Sequence, residues 1–273
     1  MTTDKQDGPA DPLSAAAVQE GLNTLCYGRS LQLLAETGST NDDARRAALA
    51  GVATGHVIVA DHQTAGRGSR GRHWSCSIGT DLYLSIVDRP TLQLADLPPL
   101  TLAVGLGVAD TVATFAPDAQ VEVKWPNDVW LDRHKCAGIL VEASTTGEHL
   151  QALVIGIGLN VNRVAFASTA GPRPTSLRLH QGKPLPRNLV LAHLLNAVET
   201  WVRRLQDPRL QGGGAAAISA ALQPRLAMQG HVVQCDNVRG TLLGVTPTGA
   251  LRILTTDGER QLISGRLQED SDV

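Results

Sequence analysis

The sequence is short of three things: aromatic residues, an excess of charge of one sign, and closely spaced cysteines. Phenylalanine, tyrosine and tryptophan make up 3% of the 273 residues, and the net charge is −2. Such a chain offers few stacking platforms for single-stranded nucleic acid and no positive field to attract DNA or anionic lipid. We therefore expect neither specific DNA binding nor membrane association.

The cysteines do not have the spacing of a metal site or a disulfide framework. They stand singly at positions 26, 76, 136 and 235, without a Cys-x-x-Cys pair. Thiolate zinc sites and dense disulfide scaffolds both need paired or closer spacing. The N-terminal segment also lacks the basic start and the apolar run of a signal peptide. These features predict a cytoplasmic protein with reduced thiols.

Long apolar runs are missing as well. The longest, residues 100–109, contains two glycines and stops at Asp110, so it falls short of the roughly 18 residues that a membrane helix needs. Hydrophobic residues at 42% and charged residues at 18% are ordinary for a globular protein. A chain of this length can form one sizeable core and a small second domain.

The pattern of apolar runs divides the chain into three parts. Residues 1–28 are expected to form a largely disordered tail, because their first half is rich in Asp, Gly, Pro and Ala. Residues 29–225 alternate strands and helices and are expected to form the main domain. Residues 226–273 are short strands between turns, which predicts a small barrel. Residues 163–186 contain four prolines, which predicts a long loop over a binding site.

A helix start lies in the segment Gly38-Ser39-Thr40-Asn41. Thr40 and Asp43 have the spacing of a capping box, and an acidic first turn suits the helix dipole. The first amides of such a helix can also bind a polar group of a ligand. A plain helix cap remains the alternative interpretation.

Residues 63–72 combine three glycines with three arginines. The glycines let the backbone approach a ligand closely, and successive amides there can form an anion-binding nest. Arginine adds donors that suit phosphate or carboxylate. The spacing matches neither a P-loop nor a dinucleotide fingerprint. The loop is thus predicted to bind an anion, with a solvated surface loop as the alternative.

Two further segments carry lysines beside predicted strand ends. Lys124-Trp125-Pro126-Asn127-Asp128 supplies an ammonium for a phosphate and a carboxylate that could hold magnesium. Lys135 directly precedes an apolar strand, where an ammonium could stabilise the charge that develops when a carboxylate attacks the α-phosphate of ATP. The alternative interpretation of residues 124–128 is a strand end followed by a turn, and that of Lys135 is a solvated lysine in a hairpin.

The last such segment, residues 156–160, ends a strand with two glycines and Asn160. Glycines permit a close approach of a ligand, and an asparagine can bind ribose or phosphate-bound water. A strand bulge is the alternative interpretation.

These five segments, in this order, resemble the biotin protein ligase family over roughly residues 31–267. Any one segment alone is weak evidence, but the ordered set is highly specific, because chance would have to supply all five. The resemblance implies an α+β catalytic domain like that of class II aminoacyl-tRNA synthetases, with a mixed sheet and flanking helices. It also implies an SH3-like C-terminal barrel. The implied reaction is ATP-dependent biotinylation of a carrier lysine through biotinyl-adenylate.

Site residues follow from the resemblance by motif position. It implies that Lys135 and Arg67 are catalytic and that Asp128 holds Mg²⁺. Biotin would contact Ser39, Thr40, Asn41, Gln63, Gly66, Arg67, Gly68, Trp74, Lys135, Gly138 and Gly156. ATP would contact Arg67, Arg70, Arg72, Lys124, Asn127, Asp128, Lys135 and Asn160. The implied protein partner is the biotin carboxyl carrier domain of acetyl-CoA carboxylase, bound by a monomer or a homodimer.

Two departures and three alternatives stay open at this point. Ser69 stands where the family usually has arginine, so biotinyl-adenylate is expected to leak somewhat more. The residues before the catalytic region are not basic, which argues against a DNA-binding domain and a repressor function. The first alternative is a lipoate or octanoate ligase, which shares the fold type. The second is a binding protein that sequesters biotin or a nucleotide and would lack turnover, and the third is a DNA-binding repressor, which the acidic balance disfavours.

Overall fold

The computed structural model describes residues 12–89, 94–146, 149–166 and 173–270. Its helices are α1 Ala15–Glu20, α2 Thr40–Leu49, α3 Leu97–Phe115, α4 Leu177–Gln181, α5 Arg187–Leu205 and α6 Gly213–Leu222. Its strands are β1 Leu31–Thr37, β2 Val57–Gln63, β3 Leu82–Asp88, β4 Val121–Lys124, β5 Asp128–Leu131, β6 His134–Thr146, β7 His149–Leu159, β8 Val232–Cys235, β9 Val238–Val245, β10 Leu251–Thr255, β11 Gly258–Leu262 and β12 Leu267–Glu269.

The large sheet is mixed, as predicted. Within the described residues its order is β1-β2-β3-β7-β6-β5-β4. Strands β1 and β2 run parallel, and the other neighbours run antiparallel. The predicted hairpin of β6 and β7 is confirmed by their long antiparallel pairing. Its turn was predicted at residues 145–147, but Thr145 and Thr146 belong to β6; residues 147 and 148 lie outside the described residues. Every residue of β3 is buried, so this sheet carries the core.

Helices α3 and α5 pack against each other over the sheet and bury their apolar residues in one continuous core. The stretch Leu94–Phe115 is apolar and long enough to cross a membrane, but 67% of its most apolar 18 residues are buried inside the protein. That burial is what a core helix of a globular domain shows. The two prolines of α3 lie in its first turn, where a missing N–H costs nothing.

The expected disordered tail is wrong for its second half. Residues 15–20 form α1, which packs on α5 and buries Val18 completely. The next turn is fixed by Glu199 of α5, whose carboxylate accepts the backbone N–H groups of Cys26 and Tyr27 at 2.7 and 2.8 Å. The composition of this segment does not indicate these hydrogen bonds, because their acceptor lies more than 170 residues away in the sequence. The first eleven residues lie outside the described ones.

The C-terminal strands form a second sheet in the order β11-β10-β9-β8-β12. All of its pairs are antiparallel. It rests on the main domain through Trp125, which is 1% exposed and whose indole N–H donates to the Gly249 carbonyl at 3.0 Å. The turn at Gly249 also lies against the start of α3, since a Cβ there would collide with Pro98. This second sheet therefore has a fixed place beside the large one.

Two local predictions need correction. The capping residue of α2 is Ser39, not Thr40, and it makes no side-chain cap bond; Thr40 turns instead toward other polar groups described below. The predicted loop at 163–186 is interrupted by α4, which the Ser176 hydroxyl caps by accepting the Leu179 N–H. Residues 167–172 of that loop lie outside the described residues.

Candidate functional site

A cavity of about 1060 Å³ lies between the large sheet and the C-terminal sheet. Its wall includes nearly all of the predicted site residues, brought together from five separate segments of the chain. Those on the wall are Ser39, Thr40, Asn41, Gln63, Arg67, Gly68, Arg70, Arg72, Trp74, Lys124, Asn127, Asp128, Lys135, Gly138, Gly156 and Asn160. Gly66 is not among the wall residues; a Cβ there would come within 2.7 Å of the Trp74 carbonyl oxygen.

One end of the cavity is a buried polar cluster at the start of α2. The side-chain carbonyl of Gln63, Oε1, accepts from the Thr40 backbone N–H at 2.8 Å and from the Thr40 hydroxyl at 3.1 Å. The Ser85 hydroxyl lies 2.8 Å from the Thr40 hydroxyl and 2.6 Å from Asn41 Oδ1. All four side chains are under 9% exposed. Buried groups of this kind are costly unless bonded, so they hold one fixed pattern of donors and acceptors.

Ser85 belongs to none of the predicted motifs, although its place in the sequence carries one signal. It is the one small hydroxyl residue in a strand, β3, that is otherwise mostly apolar, and a buried polar residue is the informative exception in such a run. Gly156 stands beside it in register on β7. A Cβ at Gly156 would overlap the Asn41 carboxamide. The glycine therefore makes the room in which Asn41 lies.

The floor of the cavity is the indole of Trp74 lying against two glycines. Gly138 and Gly158 face each other on β6 and β7, and a Cβ at either one would come within 2.7 or 2.5 Å of the indole. The Lys135 ammonium lies 5.2 Å from the centre of the ring, in the range of a cation–π contact. The two glycines thus explain why Trp74 can lie flat beside Lys135.

The other end of the cavity is charged. Lys135 Nζ lies 2.6 Å from Asp128 Oδ1, and the two side chains are 20% and 7% exposed. Lys124 stands nearby with its ammonium 5.7 Å from the Trp130 ring. Burial lowers the pKa of Lys124, and the positive charge of Lys135 lowers it further, while Asp128 opposes both. Two ammonium groups beside one carboxylate favour the arrival of a further anion.

Each arginine of the glycine–arginine loop has a partner within the protein. Arg67 donates to Asp42 at 2.9 Å and to Glu142 at 3.1 Å. Glu142 also accepts from the Asn41 amide at 2.6 Å, so it joins the polar end of the cavity to the loop.

The other two arginines of this loop bond to different parts of the protein. Arg70 faces Asp236 of the C-terminal sheet at 3.7 Å. Arg72 donates to the hydroxyl and carbonyl of Ser69 at 3.0 and 3.2 Å. Serine at position 69 therefore serves as an acceptor for the neighbouring arginine.

The two asparagines that were predicted to contact ATP support backbone that surrounds the cavity. Asn127 donates to the Ile139 carbonyl at 2.8 Å, which fixes the turn after the cis Trp125–Pro126 peptide bond against β6. Asn160 donates to the Thr175 carbonyl at 2.8 Å, and the Lys135 backbone pairs with the same segment. Asn160 and the backbone of Lys135 thus hold the segment after residue 172 beside β6.

The predicted magnesium ligand, Asp128, is one carboxylate beside a lysine. No group of three potential side-chain ligands occurs within the described ranges, so these residues form no closed cage for a metal. Magnesium commonly binds one or two carboxylates together with substrate phosphates and water. Asp128 fits that pattern.

The chain matches a family model described as the Biotin/lipoate A/B protein ligase family over residues 35–160. A biotin–[acetyl-CoA-carboxylase] ligase of Paracoccus denitrificans is 33% identical over 244 residues, which are 85% of this chain and 96% of the relative. A bifunctional ligase/repressor of Bacillus spizizenii is 30% identical over 261 residues, which are 94% of this chain and 79% of the relative.

A solved structure agrees with these relatives. The biotin protein ligase of Aquifex aeolicus, in complex with biotin and ATP, is 28% identical and superposes with a TM-score of 0.77, covering 89% of this chain and all of that one. The likeness extends over both sheets and not only over the segment that the family model matches. The chain belongs to the biotin/lipoate A/B protein ligase family and, within it, to the biotin protein ligases.

Proposed function

We propose that this protein attaches biotin to a lysine of a biotin carboxyl carrier domain, using ATP and passing through biotinyl-adenylate. The observation that carries the proposal is one cavity with a buried hydrogen-bonding end and a lysine-rich end. Biotin has the same division: a ureido head that needs matched donors and acceptors, and a carboxylate at the end of an apolar chain. The carrier domain of acetyl-CoA carboxylase is the expected acceptor.

The ureido head is assigned to the cluster of Thr40, Asn41, Gln63 and Ser85. Their side chains offer a carbonyl, an amide and hydroxyls that are already held in place by one another. Such pre-organised groups reject a molecule that cannot bond to them, because their polar atoms would then be left unpaired. The apolar chain of biotin would lie over the indole of Trp74, beside Ser39, Gly68, Gly138 and Gly156 on the cavity wall.

The carboxylate end is assigned to Lys135. In the first step a biotin carboxylate oxygen attacks the α-phosphorus of ATP, and the bond to pyrophosphate breaks. An ammonium there brings the two anions together and stabilises the charge on the α-phosphate oxygens. Arg67 would move from Asp42 and Glu142 to the same phosphate. In the second step the amine of the acceptor lysine attacks the biotinyl carbonyl, and AMP leaves.

The remaining predicted residues are assigned to ATP. Lys124, Arg70 and Arg72 provide positive charge near the lysine end, and Asn127 and Asn160 hold the surrounding turns. Asp128 would hold Mg²⁺, which would neutralise phosphate charge. The class II synthetase-like and SH3-like folds, a monomer or homodimer, a cytoplasmic location, and the absence of specific DNA binding and of membrane association remain parts of this proposal.

Release of pyrophosphate tests the proposal against its two main alternatives. With MgATP present, we expect biotin to stimulate pyrophosphate release, and lipoate or octanoate to leave it at background. Stimulation by lipoate instead would indicate the lipoate branch of the family. Binding of biotin without any pyrophosphate would indicate a sequestering protein.

Ser69 is expected to influence how tightly biotinyl-adenylate is held. A serine cannot supply a guanidinium, and its hydroxyl is bonded to Arg72. We therefore expect Ser69→Arg to lower the rate at which biotinyl-adenylate escapes by about threefold to tenfold, as one added hydrogen bond of typical net strength would do. The measurement is hydroxylamine trapping of released adenylate, with Ser69→Ala as the control for merely losing the serine. An unchanged escape rate in Ser69→Arg would contradict this expectation.

A further inference from the structure

A buried arginine that no motif identified, Arg163, lies on the cavity wall in the segment that follows β7. Arg163 is 6% exposed and lines the cavity. Its Nε donates to Asp81 Oδ2 at 2.7 Å, and its Nη2 donates to the Tyr83 hydroxyl at 2.6 Å. Asp81 is itself fully buried. Burial raises the pKa of its carboxyl, and Arg163 offsets part of that rise.

The cluster of Arg163, Asp81 and Tyr83 fixes the backbone that follows Trp74. The same Nη2 of Arg163 donates to the Ser75 carbonyl at 2.9 Å, and Nη1 lies 3.4 Å from the Ser75 hydroxyl. The Tyr83 hydroxyl accepts the Ser77 backbone N–H at 2.8 Å. Residues 75 and 77 are therefore fixed to the cluster, although residue 75 itself is exposed.

Trp74 is thus held from both sides. Before it, the loop pairs with itself, since the Trp74 N–H donates to the Gly66 carbonyl at 2.9 Å. After it, the guanidinium reaches a carbonyl, a hydroxyl and a carboxylate at once. A planar fork with five donors can do this, whereas an ammonium on a shorter reach cannot match all three acceptors.

A buried ion pair is an expensive way to stabilise a core, because desolvation offsets much of the attraction. Here the pair stands where the loop, β3 and the end of β7 meet, and its donors point to the residue next to the cavity floor. That placement is better explained by orientation of the loop than by stability alone.

We propose that Arg163 is a positioning residue for biotin, which fixes Trp74 against Gly138 and Gly158 so that the indole forms the floor under the biotin chain. The inference rests on the proposed function and adds to it a residue outside the family motifs. Arg163 acts through Ser75 and Trp74.

The test compares Arg163→Lys with wild type by steady-state pyrophosphate release. The lysine keeps a positive charge beside Asp81, so the protein is expected to fold. We expect the KM for biotin to rise about tenfold, as the loss of hydrogen bonds from a charged group predicts, and the KM for MgATP to change less than twofold. In a Trp74→Ala background the same substitution should add little to the KM for biotin, because the residue it acts through is gone.

Arg187→Lys is the matched control. Arg187 is 1% exposed, and its guanidinium donates to Asp61 Oδ1 at 2.6 Å and to the Asp81 carbonyl at 3.3 Å, so it is a second buried arginine beside the same aspartate. Arg187→Lys should leave the KM for biotin unchanged. If thermal unfolding shows that Arg163→Lys does not fold, Tyr83→Phe carries the same test, because it removes the hydroxyl that holds Ser77.

Three results would overturn the inference. These are a wild-type KM for biotin in Arg163→Lys, an equal rise in Arg187→Lys, or a full tenfold effect that persists without Trp74. Wild type in the same assay separates this failure from failure of the proposed function, since an inactive wild type would reject the ligase itself.

Discussion

Replacing Lys135 by alanine is expected to lower the rate of biotin-dependent pyrophosphate release by about 100- to 1000-fold, the usual effect of removing one donor to a charged transition state. Lys135 is the ammonium that faces both Trp74 and Asp128. The KM for biotin should change far less than kcat, because the ureido end of the cavity is left intact.

The stability of this variant has to be separated from its chemistry. Removing Lys135 leaves Asp128, 7% exposed, without its ammonium, so we expect the free energy of unfolding to fall by about 1–3 kcal/mol. The double variant Lys135→Ala/Asp128→Asn removes the unpaired charge and should recover most of that loss without recovering activity. If the double variant or Lys135→Ala turned over like wild type, Lys135 would not be catalytic.

Replacing Gly156 by alanine is expected to raise the KM for biotin by about 10- to 100-fold, the cost of disrupting one or two buried hydrogen bonds. The new methyl group would overlap the Asn41 carboxamide. Strand β7 cannot yield, because Gly156 is paired with Ser85 on one side and Leu140 on the other. Asn41 must therefore move and lose its bond with Ser85.

Gly38→Ala is the matched control for this glycine. Gly38 lies just before the same helix, and a Cβ there meets nothing within 4 Å. It should bind biotin like wild type by calorimetry. Wild-type affinity for biotin in Gly156→Ala would show that the cluster around Asn41, Thr40, Gln63 and Ser85 does not bind the ureido head.

The sequence predicted the parts of this site that lie within short segments. Lys135, the glycine–arginine loop and the two-glycine strand end are local patterns, so their order along the chain indicated the family and most of the cavity wall. Most strands were also predictable, because buried runs such as β3 are almost continuous in apolar residues. The short strands β5 and β12 were not predicted.

What the sequence did not reveal depends on contacts between distant segments. Ser85, Glu142 and Arg163 each matter through a partner that is 44 or more residues away. The folded conformation of residues 15–28 likewise depends on Glu199 of α5, which is distant in the sequence. Composition describes such a segment as a tail, because its backbone amides show no partner until the fold brings one.

Transfer of labelled biotin to an isolated carrier domain tests the central claim most directly. With MgATP, the account predicts label on one lysine of the carrier, competed by unlabelled biotin and not by lipoate, and lost with Lys135→Ala. A wild-type protein that labels the carrier with lipoate but not with biotin, or that binds biotin and labels nothing, would contradict it.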